Sequence, residues 1–452
     1  MSDIIAAVST GNQVCAIGII RMTGPGCAQV ANQVFTTQSG KGIEDRPRML
    51  VLGKLHDRAG RCIDQCMGVF LPGPGSYTGE DTVELHCHGS PAVLSAGLDA
   101  LFAKGARCAQ RGEFTKRAFL NGRLDLTQSE AVIDLIEAET ADAAANAAAQ
   151  VGGALREKLE PIYSELTDLC AHFHAVLDYP DEDIDDFSLV SYSNTLHSAA
   201  SRLERLLASY GQGRILRQGV RTAIVGRPNV GKSSLLNALL GYDRAIVTDI
   251  PGTTRDTVEE SAIVGSVRLR LTDTAGIRDT QDVIEAMGVE RSRAALRSAD
   301  LAIFVCDGSR ELTEEDEEIL ELCRQVPHVI ALVNKTDLGQ QVQPWEVACE
   351  WVIPVSIREN RGLDQLRDVI QELFADGAPC DGSLLTNPRQ FDAIARSFDA
   401  LQRALQALHL GLTADAVLTD VEIAMDALGE VTGGTVRQDI TARIFERFCV
   451  GK

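Results

Sequence analysis

A glycine-rich loop followed by a lysine and a serine occupies residues 226–233, which read Gly-Arg-Pro-Asn-Val-Gly-Lys-Ser. Glycines let backbone N–H groups approach phosphate oxygens at the start of a helix, where the helix dipole also attracts anions. Lys232 adds positive charge toward the β- and γ-phosphates of a nucleotide, and the Ser233 hydroxyl suits Mg²⁺. The loop therefore predicts a nucleoside-triphosphate site that contains Asn229, Val230, Gly231, Lys232, Ser233 and Ser234.

Two further motifs follow the loop in the order expected of a GTP-binding domain. Asp273-Thr-Ala-Gly276 supplies an aspartate for the Mg²⁺ side and a glycine for the γ-phosphate. Asn334-Lys-Thr-Asp337 ends a β-branched run. The Asp337 carboxylate can accept hydrogen bonds from the N1 and N2 groups of guanine, which adenine does not offer. The ordered trio predicts guanine specificity, with Asn334, Lys335 and Asp337 beside the base.

Two loops supply further candidates for the nucleotide site. The stretch 252–256 contains Thr254, at the position where a switch-loop threonine would close on Mg²⁺. Ser356 begins a Ser-Ile-Arg stretch where related proteins usually carry Ser-Ala-Lys. We expect the contribution of this fifth motif to come mainly from its backbone.

The group that orients the attacking water is not fixed by the residues alone. Ile277 occupies the position where Ras-like proteins carry the orienting glutamine, so that mechanism is not available. The segment 279–290 offers Asp282, Glu285 and Glu290 as carboxylates for this role. An exposed helix that carries ordinary surface carboxylates is the equally weighted alternative.

Alternating strands and helices between residues 216 and 378 must position these motifs. β-Branched runs at 221–225, 267–271, 301–305, 329–333 and 351–355 predict the parallel sheet of a doubly wound α/β domain. Helical periodicity at 126–178, 189–209 and 388–448 predicts a discontinuous all-α domain into which the α/β domain is inserted. Short apolar runs between Gly and Pro clusters predict an α+β domain over residues 1–118. The predicted fold class is multidomain α/β.

Composition restricts the classes of function. The net charge of −21 argues against a protein that holds nucleic acid by general phosphate attraction, so any RNA contact would be local or shared with a partner. The scattered cysteines, together with the lack of a secretory leader and of a long apolar stretch, predict a cytoplasmic protein that does not enter the membrane. Cys62 and Cys66 are interpreted as buried thiols, because no second pair completes a zinc site.

Several stretches outside the nucleotide domain carry a resemblance to a known family. They are Ile19-Ile-Arg21, Ser76-Tyr-Thr-Gly-Glu-Asp81, Arg111-Gly-Glu-Phe-Thr115, Arg117-Ala-Phe-Leu-Asn-Gly-Arg-Leu-Asp-Leu126 and Phe448-Cys-Val-Gly-Lys452. With the nucleotide motifs, they make the chain similar, essentially end to end, to the bacterial tRNA modification GTPases of the MnmE family, also called TrmE. The resemblance implies an N-terminal α+β domain at 1–118 that binds folate and dimerises, a helical domain at 119–215 and 379–452, and an inserted Ras-like P-loop GTPase domain at 216–378.

The resemblance also implies roles in GTP hydrolysis. In the family, K⁺ near the phosphates promotes dimerisation of the GTPase domains, and the matching K⁺ ligands here are Asn229, Thr248, Ile250 and Thr253. The resemblance adds Thr248 to the GTP-binding set, which also contains Thr254, Asp273, Gly276 and Ser356. The Mg²⁺ ligands are Ser233 and Thr254. Alignment of Met287-Gly-Val-Glu290 with the family assigns the catalytic, water-orienting glutamate to Glu285, with Asp282 as second choice.

Folate binding and tRNA chemistry follow from the same resemblance. The matching folate-binding residues are Arg21, Glu80, Arg123 and Lys452, and for each of them an ordinary surface ion pair is the alternative. Cys449 is either a reactive thiol near the folate or a small buried group at a docked tail. The implied function is modification of wobble-uridine C5 in certain tRNAs by a homodimer and the FAD-containing partner MnmG. 5,10-Methylenetetrahydrofolate or a related tetrahydrofolate would donate the carbon.

The alternative function is a GTPase switch in ribosome assembly. GTPases of the Era and Der type share the phosphate-loop and switch-loop stretches of this sequence and act on ribosomal RNA. They lack the N-terminal domain and the Cys-x-Gly-Lys motif, and no basic Gly-x-x-Gly segment is evident after residue 378 here. A third reading is a nucleotide-dependent scaffold with a vestigial folate site, which loss of folate binding with intact GTPase activity would favour.

Overall fold

A computed structural model describes most of the chain, namely residues 3–11, 13–178, 189–242, 260–271, 295–339, 341–375, 381–434, 444–445 and 448–451. Contacts divide the chain into two compact units. Unit 1 comprises residues 1–133, 150–197 and 396–452, and unit 2 comprises 134–149 and 198–395. Each unit contains a β-sheet and helices, as a multidomain α/β fold requires.

Unit 1 contains a seven-stranded sheet with the order β3-β4-β5-β6-β2-β1-β7. Its strands are β1 (Ile5–Val8), β2 (Cys15–Thr23), β3 (Phe35–Thr37), β4 (Val51–His56), β5 (Cys62–Leu71), β6 (Thr82–Gly89) and β7 (Arg107–Cys108). Neighbouring strands are antiparallel except for the pair β1 and β7. The sheet contributes Ile20, Leu55, Leu85 and Phe35 to one buried core.

Unit 2 contains a six-stranded sheet with the order β13-β12-β11-β8-β10-β9. Its strands are β8 (Val220–Val225), β9 (Glu260–Val264), β10 (Val267–Leu271), β11 (Leu301–Asp307), β12 (His328–Asn334) and β13 (Trp351–Pro354). Five strands are parallel, and β9 pairs antiparallel with β10 at the edge. Successive residues of β11 enter different cores, with Ile303 in one and Phe304 in the other, because both faces of the sheet are covered.

The described helices longer than one turn are named in chain order. They are α1 (Cys27–Asn32), α2 (Pro91–Phe102), α3 (Glu113–Leu120), α4 (Leu126–Glu137), α5 (Ala141–Val151), α6 (Ala154–Asp178), α7 (Leu189–Ala208), α8 (Tyr210–Gln218), α9 (Lys232–Tyr242), α10 (Glu314–Cys323), α11 (Leu363–Phe374), α12 (Pro388–His409) and α13 (Ala414–Thr432). Among them, none is both long and apolar enough to cross a membrane.

Helix α10 illustrates how local sequence sets an element that the nucleotide site uses. Thr313 and Asp316 form a capping box, in which each side chain accepts a hydrogen bond from the backbone N–H of the other residue. Acidic residues fill the first turn, where the positive end of the helix dipole stabilises them. The cap therefore fixes where α10 begins and holds the Asp316 carboxylate 3.4 Å from the side chain of Arg227 in the glycine-rich loop.

The predicted multidomain α/β class is confirmed, with two local differences. The edge strand β9 was not predicted, because its first two residues are Glu260 and Ser261 and only three apolar residues follow. The interpretation of Cys62 as a buried thiol is wrong, since Cys62 is exposed near one end of β5, whereas Cys66 is buried.

Candidate functional site

The phosphate loop, residues 226–231, connects β8 to α9. Gly226 and Gly231 have φ angles of 148° and 111°, a region that favours glycine. A Cβ atom on Gly226 would lie 2.2 Å from the Val305 carbonyl oxygen, and one on Gly231 would lie 2.3 Å from the Asn334 side-chain nitrogen. Both glycines are therefore required by close packing against the ends of β11 and β12.

The Lys232 ammonium is hydrogen-bonded to the first two residues of this loop. Its Nζ donates hydrogen bonds to the carbonyl oxygens of Gly226 and Arg227, each at 2.7 Å. Burial lowers the pKa of the Lys232 ammonium, because desolvation disfavours the charged form. Asn229 is exposed and has a φ angle of 65°, whereas Val230 is buried. Ser233 and Ser234 follow in the first turn of α9.

Asn334 joins the phosphate loop to the loop after β13. Its side chain is buried; Nδ2 donates to the Val230 carbonyl oxygen at 2.7 Å, and Oδ1 accepts from the Ile357 N–H at 3.2 Å. Both polar atoms are thus satisfied by backbone groups of two different loops. This arrangement makes Asn334 a brace between the two loops.

The predicted base-recognition residues lie in the same region. The Ser356 hydroxyl donates to the Asp337 carboxylate at 2.8 Å and is itself fully buried. Lys335 Nζ pairs with the Asp307 carboxylate at 2.7 Å. Although burial opposes ionisation of Asp307, hydrogen bonds and the charge of Lys335 lower its pKa. The structure thus brings the phosphate loop, residues 334–337 and Ser356 to the carboxyl ends of the parallel strands, where open α/β sheets bind ligands.

Unit 1 contains a second concentration of charge, which we name the N-terminal charge cluster. It consists of Asp3, Glu80, Arg107, Glu113 and Arg117. Arg117 donates to the carboxylates of Asp3 at 2.7 Å, Glu80 at 2.9 Å and Glu113 at 3.2 Å. Arg107 pairs with Glu113 and with Asp3. The predicted folate residue Glu80 is therefore held by Arg117.

The other predicted folate residues surround the loop that contains Glu80. Arg21 pairs with Glu84 at 2.8 Å, and its guanidinium lies 5.7 Å from the Tyr77 ring centre. A Cβ atom on Gly79 would lie 3.2 Å from the Arg123 side chain. Arg21, Glu80 and Arg123 thus gather around the loop at 76–81, although they are distant in sequence.

The segment 448–451 docks at the start of α3. The Cys449 carbonyl oxygen accepts from the Gly112 N–H at 3.3 Å, and Val450 forms a β-bridge with Arg111. The Ser9 hydroxyl donates to the Gly451 carbonyl oxygen at 3.0 Å. The side chain of Cys449 is exposed, so the interpretation of this residue as a small buried group is not the arrangement observed.

Comparisons with known proteins find relatives that match the whole chain. A family model described as "GTP-binding protein TrmE N-terminus" matches residues 4–123, and one described as "MnmE helical domain" matches residues 126–449. A "tRNA modification GTPase MnmE" from Clostridioides difficile is 41% identical over 100% of both chains. One from Heliobacterium modesticaldum is 43% identical, again over 100% of both chains. The chain belongs to the MnmE family of tRNA modification GTPases. Family membership, as predicted, makes the chain a GTP hydrolase.

A solved structure of Era in complex with MgGDPNP and nucleotides 1506-1542 of 16S ribosomal RNA overlaps only part of this MnmE-family chain. The overlap is 29% identical, covers 40% of this chain and 65% of that one, and has a TM-score of 0.27. The MnmE relatives match all of this chain, including the segments outside the nucleotide domain. The match over the full length of the MnmE relatives supports membership of that family.

Eight predicted site residues of this MnmE-family GTPase lie outside the described residues. They are Thr248, Ile250, Thr253, Thr254, Asp273, Gly276, Glu285 and Lys452. The second-choice carboxylate, Asp282, lies there as well. The described part of the nucleotide site comprises the phosphate loop and the base-recognition side.

Sequence reasoning missed two contacts that position the described part. Arg227 of the phosphate loop donates to the Thr313 hydroxyl at 2.6 Å and approaches Asp316 at 3.4 Å, which ties the loop to the cap of α10. Asp307 pairs with Lys335 at the end of β11. The [ST]-x-x-[DE] pattern before an apolar run signals the α10 cap. No local pattern pairs it with Arg227.

Proposed function

We propose that GTP binds with its phosphates on residues 229–234 and its guanine on Asn334, Lys335 and Asp337. The observation that carries this proposal is the Asn334 side chain, which joins the phosphate loop to the Ser356 loop. A guanine held by Asp337 would lie beside the Ser356 loop, and Ser356 orients the Asp337 carboxylate through its 2.8 Å hydrogen bond. The two ends of the nucleotide would thus be bound by loops that are braced together.

We propose that Ser233 and Thr254 would hold Mg²⁺, that Asp273 would act on the Mg²⁺ side of the nucleotide, and that Gly276 would contact the γ-phosphate. Ser233 supports this assignment because it directly follows Lys232, whose ammonium is anchored beside the phosphate loop. Mg²⁺ would neutralise charge on the β- and γ-phosphates. Glu285 would orient the attacking water, with Asp282 as the second candidate.

We further propose that K⁺ promotes dimerisation of the GTPase domains and hydrolysis. Its ligands would be Asn229, Thr248, Ile250 and Thr253. The exposed Asn229 offers an amide oxygen at the rim of the phosphate loop, which is suitable for a large monovalent cation. K⁺ at that position would add positive charge beside the phosphates, where other GTPases use an arginine.

We propose that the loop at 76–81 and its surroundings bind tetrahydrofolate through Arg21, Glu80, Arg123 and Lys452. The aromatic ring of Tyr77 beside Arg21 supports this proposal, because ligand sites of this kind combine apolar surfaces with few polar groups. Cys449, exposed in the docked segment, would lie near the folate as a reactive thiol.

The biological role that we propose is modification of wobble-uridine C5 in certain tRNAs. A homodimer would act with the FAD-containing partner MnmG, use the folate one-carbon unit and give aminomethyl or carboxymethylaminomethyl groups. The net charge of −21 supports a division in which the partner binds most of the tRNA. We propose that the reaction takes place in the cytoplasm. We also propose the domain limits 1–118, 119–215, 216–378 and 379–452.

Mass spectrometry of tRNA nucleosides tests the role. Cells that lack the protein should lose the C5 modification, and wild type but not Glu285→Ala should restore it, because hydrolysis would be required. Glu290→Ala is the matched control and should restore the modification. An unchanged nucleoside profile without the protein would contradict the proposed role.

GTP turnover in K⁺ and in Na⁺ tests the cation assignment separately. We expect faster turnover in K⁺ and no difference between the two salts in Asn229→Ala, because the variant lacks the amide oxygen. Equal wild-type rates in both salts would refute the K⁺ proposal and leave the nucleotide site itself untouched.

A further inference from the structure

Two cysteines and a carboxylate converge on neighbouring strands of the unit 1 sheet. The Asp64, Cys66 and Cys87 ligand atoms all lie within 4.8 Å of one another. Asp64 and Cys66 are two residues apart on β5 and share one face, because side chains alternate along a strand. The antiparallel register pairs Met67 with His86, which puts Cys66 directly opposite Cys87 on β6.

Burial separates this group from ordinary surface residues. Cys66 is 4% exposed and Cys87 is 2% exposed, and the Asp64 side chain is 7% exposed. Carboxylates are rarely buried beside thiols unless a partner satisfies them. Here the partner is His88, whose Nδ1 lies 2.7 Å from one Asp64 oxygen and whose backbone N–H donates to the other at 2.8 Å.

The spacing of these groups leaves room for a tetrahedral Zn²⁺. Zn–S bonds of about 2.3 Å at a tetrahedral angle put two sulfurs roughly 3.8 Å apart, which is within the observed limit of 4.8 Å. His88 is 76% exposed and holds the Asp64 carboxylate from outside the group, in the manner of the hydrogen bonds that orient metal ligands. Two thiolates and a carboxylate form a donor set that binds Zn²⁺ in preference to Mg²⁺ or K⁺.

We propose that Asp64, Cys66 and Cys87 bind Zn²⁺ in the N-terminal sheet, with water as the fourth ligand, at a site separate from the nucleotide and folate sites. On binding, each cysteine loses its thiol proton to solvent and forms an S–Zn bond, and no electron is transferred. The ion would cross-link β5 and β6 at the end of the sheet where Asp64 and His88 lie. The sequence alone does not indicate this site, because Cys66 and Cys87 are far apart in sequence and come together only through strand pairing.

Cobalt substitution tests the proposal in the full-length, reduced, nucleotide-free chain after removal of metals with EDTA. Co²⁺ should bind at one site per chain with the near-ultraviolet absorption of a thiolate–cobalt bond, and Zn²⁺ should displace it. Cys66→Ser/Cys87→Ser should abolish the absorption. Cys108→Ser, which removes an exposed thiol of the same unit, should leave it unchanged.

A second variant keeps the test decisive if the double substitution prevents folding. Asp64→Asn removes one charged ligand, and we expect it to weaken Zn²⁺ binding by about tenfold or more while the thiolate absorption of the Co²⁺ form persists. Absence of the thiolate absorption in wild type, or equal absorption in the folded double variant, would overturn the proposal. Zn²⁺ affinity unaffected by Asp64→Asn would also count against it.

Discussion

The nucleotide site and the N-terminal charge cluster both gather polar side chains beside a sheet, but different partners hold those side chains. In the nucleotide site, Asn334 bonds to two backbone groups, and Ser356 orients Asp337 through one hydrogen bond. In the cluster, Arg117 is bound directly to three carboxylates. A ligand of the nucleotide site meets an oriented Asp337, whereas a ligand of the cluster must compete with ion pairs that are already formed.

The same types of charged residue therefore differ between the two regions in how readily they can bind a ligand. Desolvated charges that are paired with each other contribute to the fold, and removing one partner leaves the others unpaired. A carboxylate oriented by a neutral hydroxyl keeps lone pairs for a ligand. We therefore expect substitutions in the cluster to affect mainly stability and substitutions in the nucleotide site to affect mainly affinity.

The largest effect is expected for Arg117→Ala, which removes the cation that contacts Asp3, Glu80 and Glu113, although Arg107 still pairs with Asp3 and Glu113. We expect the local free energy of unfolding of α3 to fall by about 3 kcal/mol, measured by hydrogen exchange of its amides. Arg61→Ala is the control, because the Arg61 side chain is 81% exposed and its pair with Asp57 should contribute little to stability. Equal effects of the two variants would remove the distinction between the cluster and an ordinary surface pair.

Asp337→Asn should have the largest effect on affinity. Loss of two charge-assisted hydrogen bonds to guanine should weaken GTP binding by about 100-fold or more, with little change in stability. Xanthosine triphosphate should gain affinity, because its C2 carbonyl can accept from the new amide. Calorimetric titration with both nucleotides measures this, and Asp364→Asn, an exposed acid outside the site, is the control. Unchanged GTP affinity in Asp337→Asn would break the assignment of the base site.

Asp300→Asn tests whether a charge network inside unit 2 behaves like the cluster. Asp300 accepts from Arg214 and Arg221, and although burial opposes ionisation, these bonds lower its pKa. Its contribution is therefore present above the unfolded-state pKa of about 3.9 and is lost as the pH falls toward the folded-state value. At pH 7 we expect the variant to be about 2 kcal/mol less stable in urea unfolding.

The difference between wild type and Asp300→Asn should then shrink as the pH falls below about 4, because protonation removes the same charge in wild type. A gap that stays constant over this range would show that the network contributes through packing. In that case the network of unit 2 would stabilise the protein through packing, unlike the charge pairing of the cluster in unit 1.

The smallest effect is expected for Ser356→Ala, which removes the hydroxyl that orients Asp337 but keeps the carboxylate. GTP affinity should fall by about fivefold, equivalent to the loss of one neutral hydrogen bond of about 1 kcal/mol. Ser298→Ala, at an exposed helical position, should leave the affinity unchanged. A loss as large as that of Asp337→Asn would mean that Ser356 does more than orient the carboxylate.

Much of the fold was predictable because its signals are local. The runs at 267–271 and 301–305 were identified as strands, and the structure has β10 over Val267–Leu271 and β11 over Leu301–Asp307. Parallel strands covered on both faces are continuous apolar runs, which are easy to recognise. The edge strand β9 was missed because its sequence alternates weakly and its pairing with β10 is tertiary information.

The candidate sites likewise contain some features that were predictable from the sequence and others that were not. The phosphate loop and residues 334–337 are contiguous motifs, so the sequence alone indicated that they belong to a nucleotide site. The buried brace formed by Asn334, the Arg227–Thr313 bond and the opposed Cys66 and Cys87 all join segments that are distant in sequence. Such contacts depend on strand order and register, which no local pattern determines.

The contact between Ser9 and Gly451 has a consequence for the order of events during synthesis. The Ser9 hydroxyl and the Gly451 carbonyl are separated by 442 positions in the chain. A ribosome therefore releases β1 and β2 long before the segment that docks on them has been made. Unit 2 can acquire its structure in that interval, whereas docking of the tail at Gly112 belongs among the late steps of maturation.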